Sequence, residues 1–368
     1  MPVRELSERS WLALMPDSQL RFSLNEVKRA GKVLRGPHTD PFKIAHALEV
    51  FDNWRACHSY PLAQFYDSLT KFALMSSPQT NVVHRPKRLD AVIKKLRSEP
   101  QSQLSTMQDI AGCRAILPDV ENLEPFISTC RAGWRRHELV KEPYDYIAEP
   151  RSTGYRGVHL VYRFKSENRS FDGRLVEVQF RSRWQHAWAT AVEIVDLFQP
   201  APLKAGKGNP DWQRFFALMG SAIAVMESSS LVPDTPADPL GLENELRHYA
   251  ELLDVEGHLK TYGRVAASIH PSFTGVSGYS GHSGQSGYFV IERDLDSRTI
   301  AVRGYAEHEA QRAYRDVADA EKKNSNVVLV AATDLESLKQ AYPNWIIDTH
   351  NFIMILYRVL NKPIPSFP

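Results

Sequence analysis

Cysteine is scarce, with three residues in 368, at positions 57, 113 and 130. An odd number at wide spacing, with no paired-Cys motif, excludes a disulfide framework and a thiolate zinc site and leaves reduced core thiols. An excess of charge of one sign is also lacking. Lys and Arg number 45 against 43 Asp and Glu, a net charge of +2, so no global field argues for coating DNA and charge must act locally. Long apolar runs are missing too. The longest, Phe215 to Met226, is interrupted by Gly220 and Ser221 and is too short for a bilayer, and the opening Met-Pro-Val-Arg-Glu-Leu has no apolar signal core. We therefore expect a cytoplasmic chain with no membrane and no DNA partner. At 43% hydrophobic and 24% charged, the composition is that of an ordinary globular protein long enough for two domains.

What is present centres on Arg174 to Arg181, Arg-Leu-Val-Glu-Val-Gln-Phe-Arg. The period is two: Val176, Val178 and Phe180 share one face of a strand, and Glu177, Gln179 and Arg181 share the other. Upstream, Gly154-Tyr155-Arg156-Gly157-Val158-His159 opens a second alternating strand. Its Val158, Leu160, Tyr162 and Phe164 lie on one side, and Tyr155 and His159 on the opposite one. Paired, the two strands would present a ring, an imidazole, a carboxylate and a guanidinium on one surface, a nucleotide-site chemistry.

Residues up to about Thr80 have helical spacing, with Ile44, Ala47, Leu48, Phe51 and Trp54, then Leu62, Phe65, Leu69 and Phe72 after Pro61. Arg55 and His58 fall three apart, as in a capped helix end. Arg85-Pro86-Lys87 leads into Leu89, Val92, Ile93 and Leu96, one stripe of a helix with Pro86 suited to its first turn. Lys87 and Lys94, seven apart, would share the opposite face, a pattern that a solvated lysine face also produces; five cations against one Asp between Arg85 and Lys95 tilt it toward polyphosphate. Asp109 precedes the apolar strand Ile110 to Leu117. A hard divalent cation bridging phosphates takes one or two carboxylates, and Asp109 and Glu177 are the candidate pair.

Further helices are expected over 119–132 and around Trp184, Ala187, Trp188, Ala191, Val192 and Val195, and a short strand over 144–147. Arg151 adds a cation in the loop before Gly154. His186 and Glu193, seven apart on the second of these helices, would share a face. Alternating helices and strands through 85–195 give an α/β (α+β) class with a mixed sheet. Then come a Pro/Gly/Lys linker from Gln199, a helix at 212–226, a charged amphipathic helix at 242–262, and glycine at every third position of 275–287, which is a hinge. From 287 on, a hairpin (288–292 with 299–303), helices at 307–323, 335–342 and 349–360, and a strand at 327–332 make a smaller α/β domain without a chemical motif.

Arg85-Pro86-Lys87, Asp109-Ile110-Ala111-Gly112-Cys113-Arg114, Gly154 to His159 and Val176 to Arg181, in this order and with His186 following, resemble the synthetase domain of the RelA/SpoT alarmone synthetases. The resemblance covers roughly residues 40 to 200. It implies a nucleotidyltransferase-like sheet and transfer of pyrophosphate from ATP to a ribose hydroxyl, usually the 3′-hydroxyl of GDP or GTP, with AMP leaving. On the matching positions, Arg85, Lys87, Lys94 and Arg114 would hold ATP, and Asp109 and Glu177 would bind Mg²⁺. Glu177 would also assist deprotonation of the hydroxyl. Tyr155 would stack on the acceptor base, and Arg156, His159, Gln179 and Arg181 would address the acceptor, with His186, Arg151 and Glu193 as further candidates. Such transfer needs metal, cations and alignment more than covalent catalysis.

Departures from the pattern are informative. The His-acid pairs are His137-Glu138 and His308-Glu309, neither of which is the His-Asp motif of the family's hydrolase domain, so product degradation is not expected. Gly157 stands where a serine is common, and Arg181-Ser182 replaces Arg-Thr. The expected organisation is an extension (1–40), a synthetase domain (41–226), a helix and Gly/Ser linker (227–286) and a C-terminal domain (287–368) restraining the enzyme, with a trigger protein as its partner. This resembles toxic small alarmone synthetases, whose acceptor can be the tRNA 3′ end or an adenosine nucleotide. A nucleotide- or RNA-binding regulator without turnover is the reading from another class.

Overall fold

The computed structural model describes residues 8, 15–37, 40–87, 89–197, 203, 208–268, 288–293, 300–305, 312, 316, 326–331 and 345–362. The chain divides into two compact units, 1–146 with 157–183, and 147–156 with 184–368. The boundary at 183/184 thus lies inside the 41–226 span, and a short excursion, 147–156, belongs with the second unit.

The first unit opens with helices α1 (Leu24–Arg35), α2 (Pro41–Ala56) and α3 (Ser59–Ser76). Local chemistry sets their starts: Ser23 and Glu26 cap α1 reciprocally, and Asp40 caps α2 with Pro41 at its first position. There follow β1 (Asn81–Pro86), α4 (Leu89–Ser98), β2 (Ala111–Leu117), α5 (Leu123–Gly133), the short β3 (Glu138–Leu139) and β4 (Tyr144–Asp145), then β5 (Val158–Arg163) and β6 (Leu175–Ser182). The sheet runs β1-β2-β6-β5-β3, with β4 also on β5. It is mixed as expected: β2 and β6 are parallel, and β1/β2 and β5/β6 antiparallel.

Two expectations are corrected. Residues 81–86 form a strand, and Pro86 closes it at the sheet edge instead of opening a helix. A residue without an N–H is tolerated at such an edge, and β-branched Val82 and Val83 favour the strand. Tyr155 is not in β5, which begins only at Val158.

Period two sorts the sheet's faces. Cys113, Ala115, Val176, Val178, Phe180, Leu160 and Tyr162 are buried on one face, where Phe126 meets Phe180 and Phe65 and Trp134 meet Tyr162. The opposite face carries Arg114, Glu177, Gln179, Arg181 and His159. A separate core of α1, α2 and α4 joins Val27, Leu34, Phe51 and Trp54 to Val92, Leu96, Met107 and Ile110.

The second unit is built on α6 (Arg183–Leu197), α7 (Pro210–Met226), α8 (Pro239–Leu252), α9 (Val255–Ser268) and α10 (Trp345–Val359), with a three-stranded antiparallel sheet β8-β7-β9 of Tyr288–Arg293 (β7), Ile300–Tyr305 (β8) and Asn326–Ala331 (β9). Helix α7 is buried all round from Phe215 through Ala224, as its predominantly apolar sequence there requires. The single helix expected at 242–262 is two, broken at Asp254, whose φ of 40° leaves the right-handed helix. Helix α10 places Phe352, Ile353, Ile355 and Leu356 in one core with Trp188, Phe215, Phe216 and Leu246. The glycine tract, and the helices expected at 307–323 (but for 312 and 316) and 335–342, lie outside the described residues. Cys57, Cys113 and Cys130 are free, buried thiols, and burial raises the pKa of each. No helix among the described residues is long and apolar enough to cross a membrane.

Candidate functional site

The site begins where β1 ends. One further backbone bond, Lys87 N–H to the Ile110 carbonyl at 2.8 Å, continues the β1/β2 ladder past Pro86. It sets Lys87 beside Asp109, the residue before Ile110. The Lys87 ammonium donates to Asp109 Oδ2 at 2.6 Å, and Lys95 donates to Oδ1 at 3.2 Å, so both carboxylate oxygens face a cation. Helix α4 brings Lys95 there by packing: Val92 and Leu96 are buried with Ile110, and Lys95 lies one turn after Val92. Lys94, the lysine expected in this role, is exposed. Arg85 lies on β1, with its side chain outside the described residues.

Across β2, cross-strand register makes a row of Arg85, Gly112, Glu177 and Val161, and a second row of Val83, Arg114, Gln179, His159 and Tyr144. Glu177 accepts from His159 Nδ1 at 3.1 Å and from Gln179 Nε2 at 2.8 Å. The Gln179 oxygen in turn accepts from Arg114 and Arg181, each at 3.3 Å. The Glu177 side chain is 15% exposed. Burial alone would raise its carboxyl; the hydrogen bond and charge of His159, the bond from Gln179 and the Lys95 charge outweigh it and bring it down to about 2. A carboxylate so held is a weak base, better suited to holding a cation or orienting a hydroxyl than to retaining a proton. Since Lys95 touches Asp109 and its charge also acts on Glu177, the two acids belong to one electrostatic cluster.

Sequence reasoning missed Lys95 and an aromatic pair. Tyr146 meets His159 edge-on at 5.4 Å and stacks with Tyr144 at 5.8 Å, and the Lys141 ammonium lies 3.6 Å from the Tyr144 ring centre. Lys95 was findable from its spacing to the apolar stripe. The tyrosines fall in the short strand expected over 144–147, but only Tyr144–Asp145 pairs, and two residues are too few for an alternation that would assign them a face.

Among the other expected residues, Tyr155, Arg156, Arg151, His186 and Glu193 belong to the second unit. There Tyr155 packs on the core, edge-on to Trp188 at 6.3 Å. Arg156 is 2% exposed and donates to the Ile147 and Ser230 carbonyls and the Ser229 hydroxyl. In this structure its guanidinium therefore pins a loop, contrary to the expectation that it faces an acceptor. Gly154, at φ 92°, lets the loop approach α7 so closely that a Cβ would stand 2.4 Å from the Phe216 carbonyl oxygen. Arg151 is exposed at the start of that turn, His186 is buried on α6, and Glu193 lies on the same helix. Gly157, where a serine was the alternative, has φ 145°, a conformation that L side chains rarely adopt.

No group of three or more His, Cys, Asp or Glu that could hold a metal ion occurs among the described residues. Asp109 and Glu177 are hard oxygen donors of the kind Mg²⁺ takes together with phosphate oxygens and water, and in this structure each carboxylate is engaged at both oxygens, Asp109 by Lys87 and Lys95 and Glu177 by His159 and Gln179.

Comparison with known proteins gives a family match over residues 84–194, described as a region found in RelA and SpoT proteins. GTP pyrophosphokinase YjbM of Bacillus subtilis is 35% identical over 117 residues, 31% of this chain and 54% of that protein, so the chain spans about half the length of this relative. An uncharacterized protein of Mycobacterium tuberculosis is 29% identical over 236 residues, 63% of this chain and 78% of that one. Among solved structures, the small alarmone synthetase 1 from Bacillus subtilis is 21% identical at a TM-score of 0.42, covering 48% of this chain and 92% of its own.

Proposed function

We propose, from the match of residues 84–194 to a region found in RelA and SpoT proteins, that the chain is a diphosphotransferase, moving the β,γ-pyrophosphate of ATP to the 3′-hydroxyl of GDP or GTP. The observation that carries this reading is that Lys95, which with Lys87 donates to Asp109, also acts by its charge on Glu177, whose carboxylate shares one sheet face with His159, Gln179 and Arg114. The name of the Bacillus subtilis relative, a GTP pyrophosphokinase, supports the guanosine acceptor.

In this reading Lys87, Lys95 and Arg114 bind the ATP phosphates, with Lys95 taking the place expected for Lys94. Asp109 and Glu177 would hold Mg²⁺, which supplies neutralisation of phosphate charge. Glu177 orients the acceptor hydroxyl, and His159 and Gln179 fix the Glu177 rotamer from the same rigid sheet. The acceptor oxygen bonds to the β-phosphorus as the bond from that phosphorus to the α,β-bridging oxygen breaks. The hydroxyl proton passes to solvent, and AMP departs with the bridging oxygen.

Incubation with ATP labelled in the γ position and a panel of GDP, GTP, an adenosine nucleotide and deacylated tRNA tests this. Label on the guanosine nucleotide, with equal AMP, is expected. Label on the tRNA 3′ end or on an adenosine product would replace the acceptor. Tight nucleotide binding with no AMP release from any acceptor would replace the enzyme with a binding regulator.

A further inference from the structure

Asp109 is an unusual candidate for a metal ligand because it is already saturated with positive charge. Lys87 Nζ lies 2.6 Å from one oxygen and Lys95 Nζ 3.2 Å from the other, and the three side chains are only 16%, 29% and 20% exposed for Lys87, Lys95 and Asp109. Glu177 is likewise engaged at both oxygens, by His159 and Gln179. A divalent cation arriving alone would approach two ammonium groups at short range and would have to displace them with nothing to receive them. A cation carried on a polyphosphate meets a different balance: the phosphate oxygens take over both ammoniums, and Asp109 is released to the metal in the same event.

Resting on the function proposed above, the geometry points to Lys87 and Lys95 as exchangeable counter-ions that keep Asp109 closed to a free divalent cation and open it only to a cation bound to a nucleoside triphosphate. The two lysines then have a second task besides holding phosphate. They make the metal–triphosphate complex, and not metal followed by nucleotide, the species that binds. Their four-carbon stems suit an exchange of partners, because an ammonium makes no fixed fork with its carboxylate.

Mn²⁺ binding to the full chain, followed by electron paramagnetic resonance of the free ion and by calorimetry, reads this out without turnover. The wild-type chain should bind Mn²⁺ weakly alone and at least about tenfold more tightly with α,β-methylene ATP present. Lys95→Met, and independently Lys87→Met, should raise Mn²⁺ affinity without nucleotide by about tenfold or more. Lys94→Met, on the same helix but exposed, should not change it. Equal Mn²⁺ affinity with and without the analogue, or no gain in either variant with a native circular dichroism spectrum, overturns the inference. The two readings fail separately. Label transfer together with tight Mn²⁺ binding by the resting chain removes the counter-ion role and leaves the enzyme. A Mn²⁺ site opened by Lys95→Met in a chain that releases no AMP removes the enzyme and leaves the closed carboxylate.

Discussion

Acidification from about pH 7.5 to about pH 5 should destabilise the first unit, and the buried histidines set the size of the effect. His58 is 2% exposed, its Nδ1–H is given to the Trp54 carbonyl at 2.7 Å, and burial drives its pKa from 6.5 to about 3. His137 is 8% exposed and is lowered to about 4 by burial and by the charge of Arg136; its Nδ1 accepts from the Lys165 backbone N–H, a bond that protonation would break. Both bases have a folded pKa below the unfolded one. Above the unfolded value neither state binds the proton, so nothing is lost; as pH falls through it, the unfolded chain alone takes up protons and stability drops. By linkage each histidine costs about 2 kcal/mol at pH 5, and the pair about 4 kcal/mol, a large part of the ~5–15 kcal/mol of a domain. Thermal melts across this interval should fall by on the order of 10 °C, with activity lost in parallel, while Glu177, held at about 2, stays ionised. His58→Asn and His137→Asn should each flatten the dependence by about one proton. A melting temperature constant from about pH 7 to about pH 5, or an unchanged slope in both variants, would refute the argument.

Three further outcomes follow from single contacts. Glu177→Gln should cut AMP release by roughly 10²-fold or more with a melt within a few degrees of the parent; an unchanged rate removes Glu177 from the chemistry. Arg156→Ala should lower stability by about 1–3 kcal/mol in a denaturant titration, because a buried guanidinium and its bonds to three part-buried acceptors are lost; a stable variant with only a raised acceptor KM would return Arg156 to the role first expected of it. Phe352→Ala should cost about 3–5 kcal/mol, since that ring is fully buried in the core of the second unit. Truncation after Gly241, which removes α9, α10 and nearly all of α8, should therefore give insoluble chain; soluble chain with raised activity would show that this core is dispensable.

The strands at the centre of the first unit were legible because their apolar and polar residues alternate without interruption, and Val176, Val178 and Phe180 are all fully buried. The stripe of α4 was legible for the same reason at the helical period. Edges were harder. Residues 81–86 combine two β-branched residues with a proline, and a local rule that reads proline as a helix start cannot see that β2 waits beside it. The break at Asp254 turns on one residue at φ 40°, a conformation that no periodicity announces. In the site, Asp109 and Glu177 are proposed from residue type, and Lys95 is reached only through its helix phase. Tyr155 is in phase with His159 and is expected on its strand face, and the resemblance adds Arg156 as an acceptor contact, whereas the loop 147–156 packs with the second unit.

The two acids differ in what holds them, and that difference divides the work between the substrates. Both hydrogen-bond partners of Glu177, His159 on β5 and Gln179 on β6, come from the same sheet, and Gly112 beside it in the cross-strand row contributes no side chain to crowd it. Asp109 lies before β2 begins, and its partners are two flexible ammoniums, one just past the end of β1 and one on α4. A group that must align an incoming hydroxyl gains from a fixed rotamer, because misplacement by about 1 Å can cost ~10²-fold in rate. A group that must admit a bulky, highly charged donor gains from partners that can let go. On the proposed chemistry, the acceptor end is therefore preorganised and the donor end adapts. Stiffening Lys95 by replacement with Arg, whose planar fork would clamp Asp109 at two points, should then weaken ATP binding more than acceptor binding, and an equal rise in both KM values would refute this division.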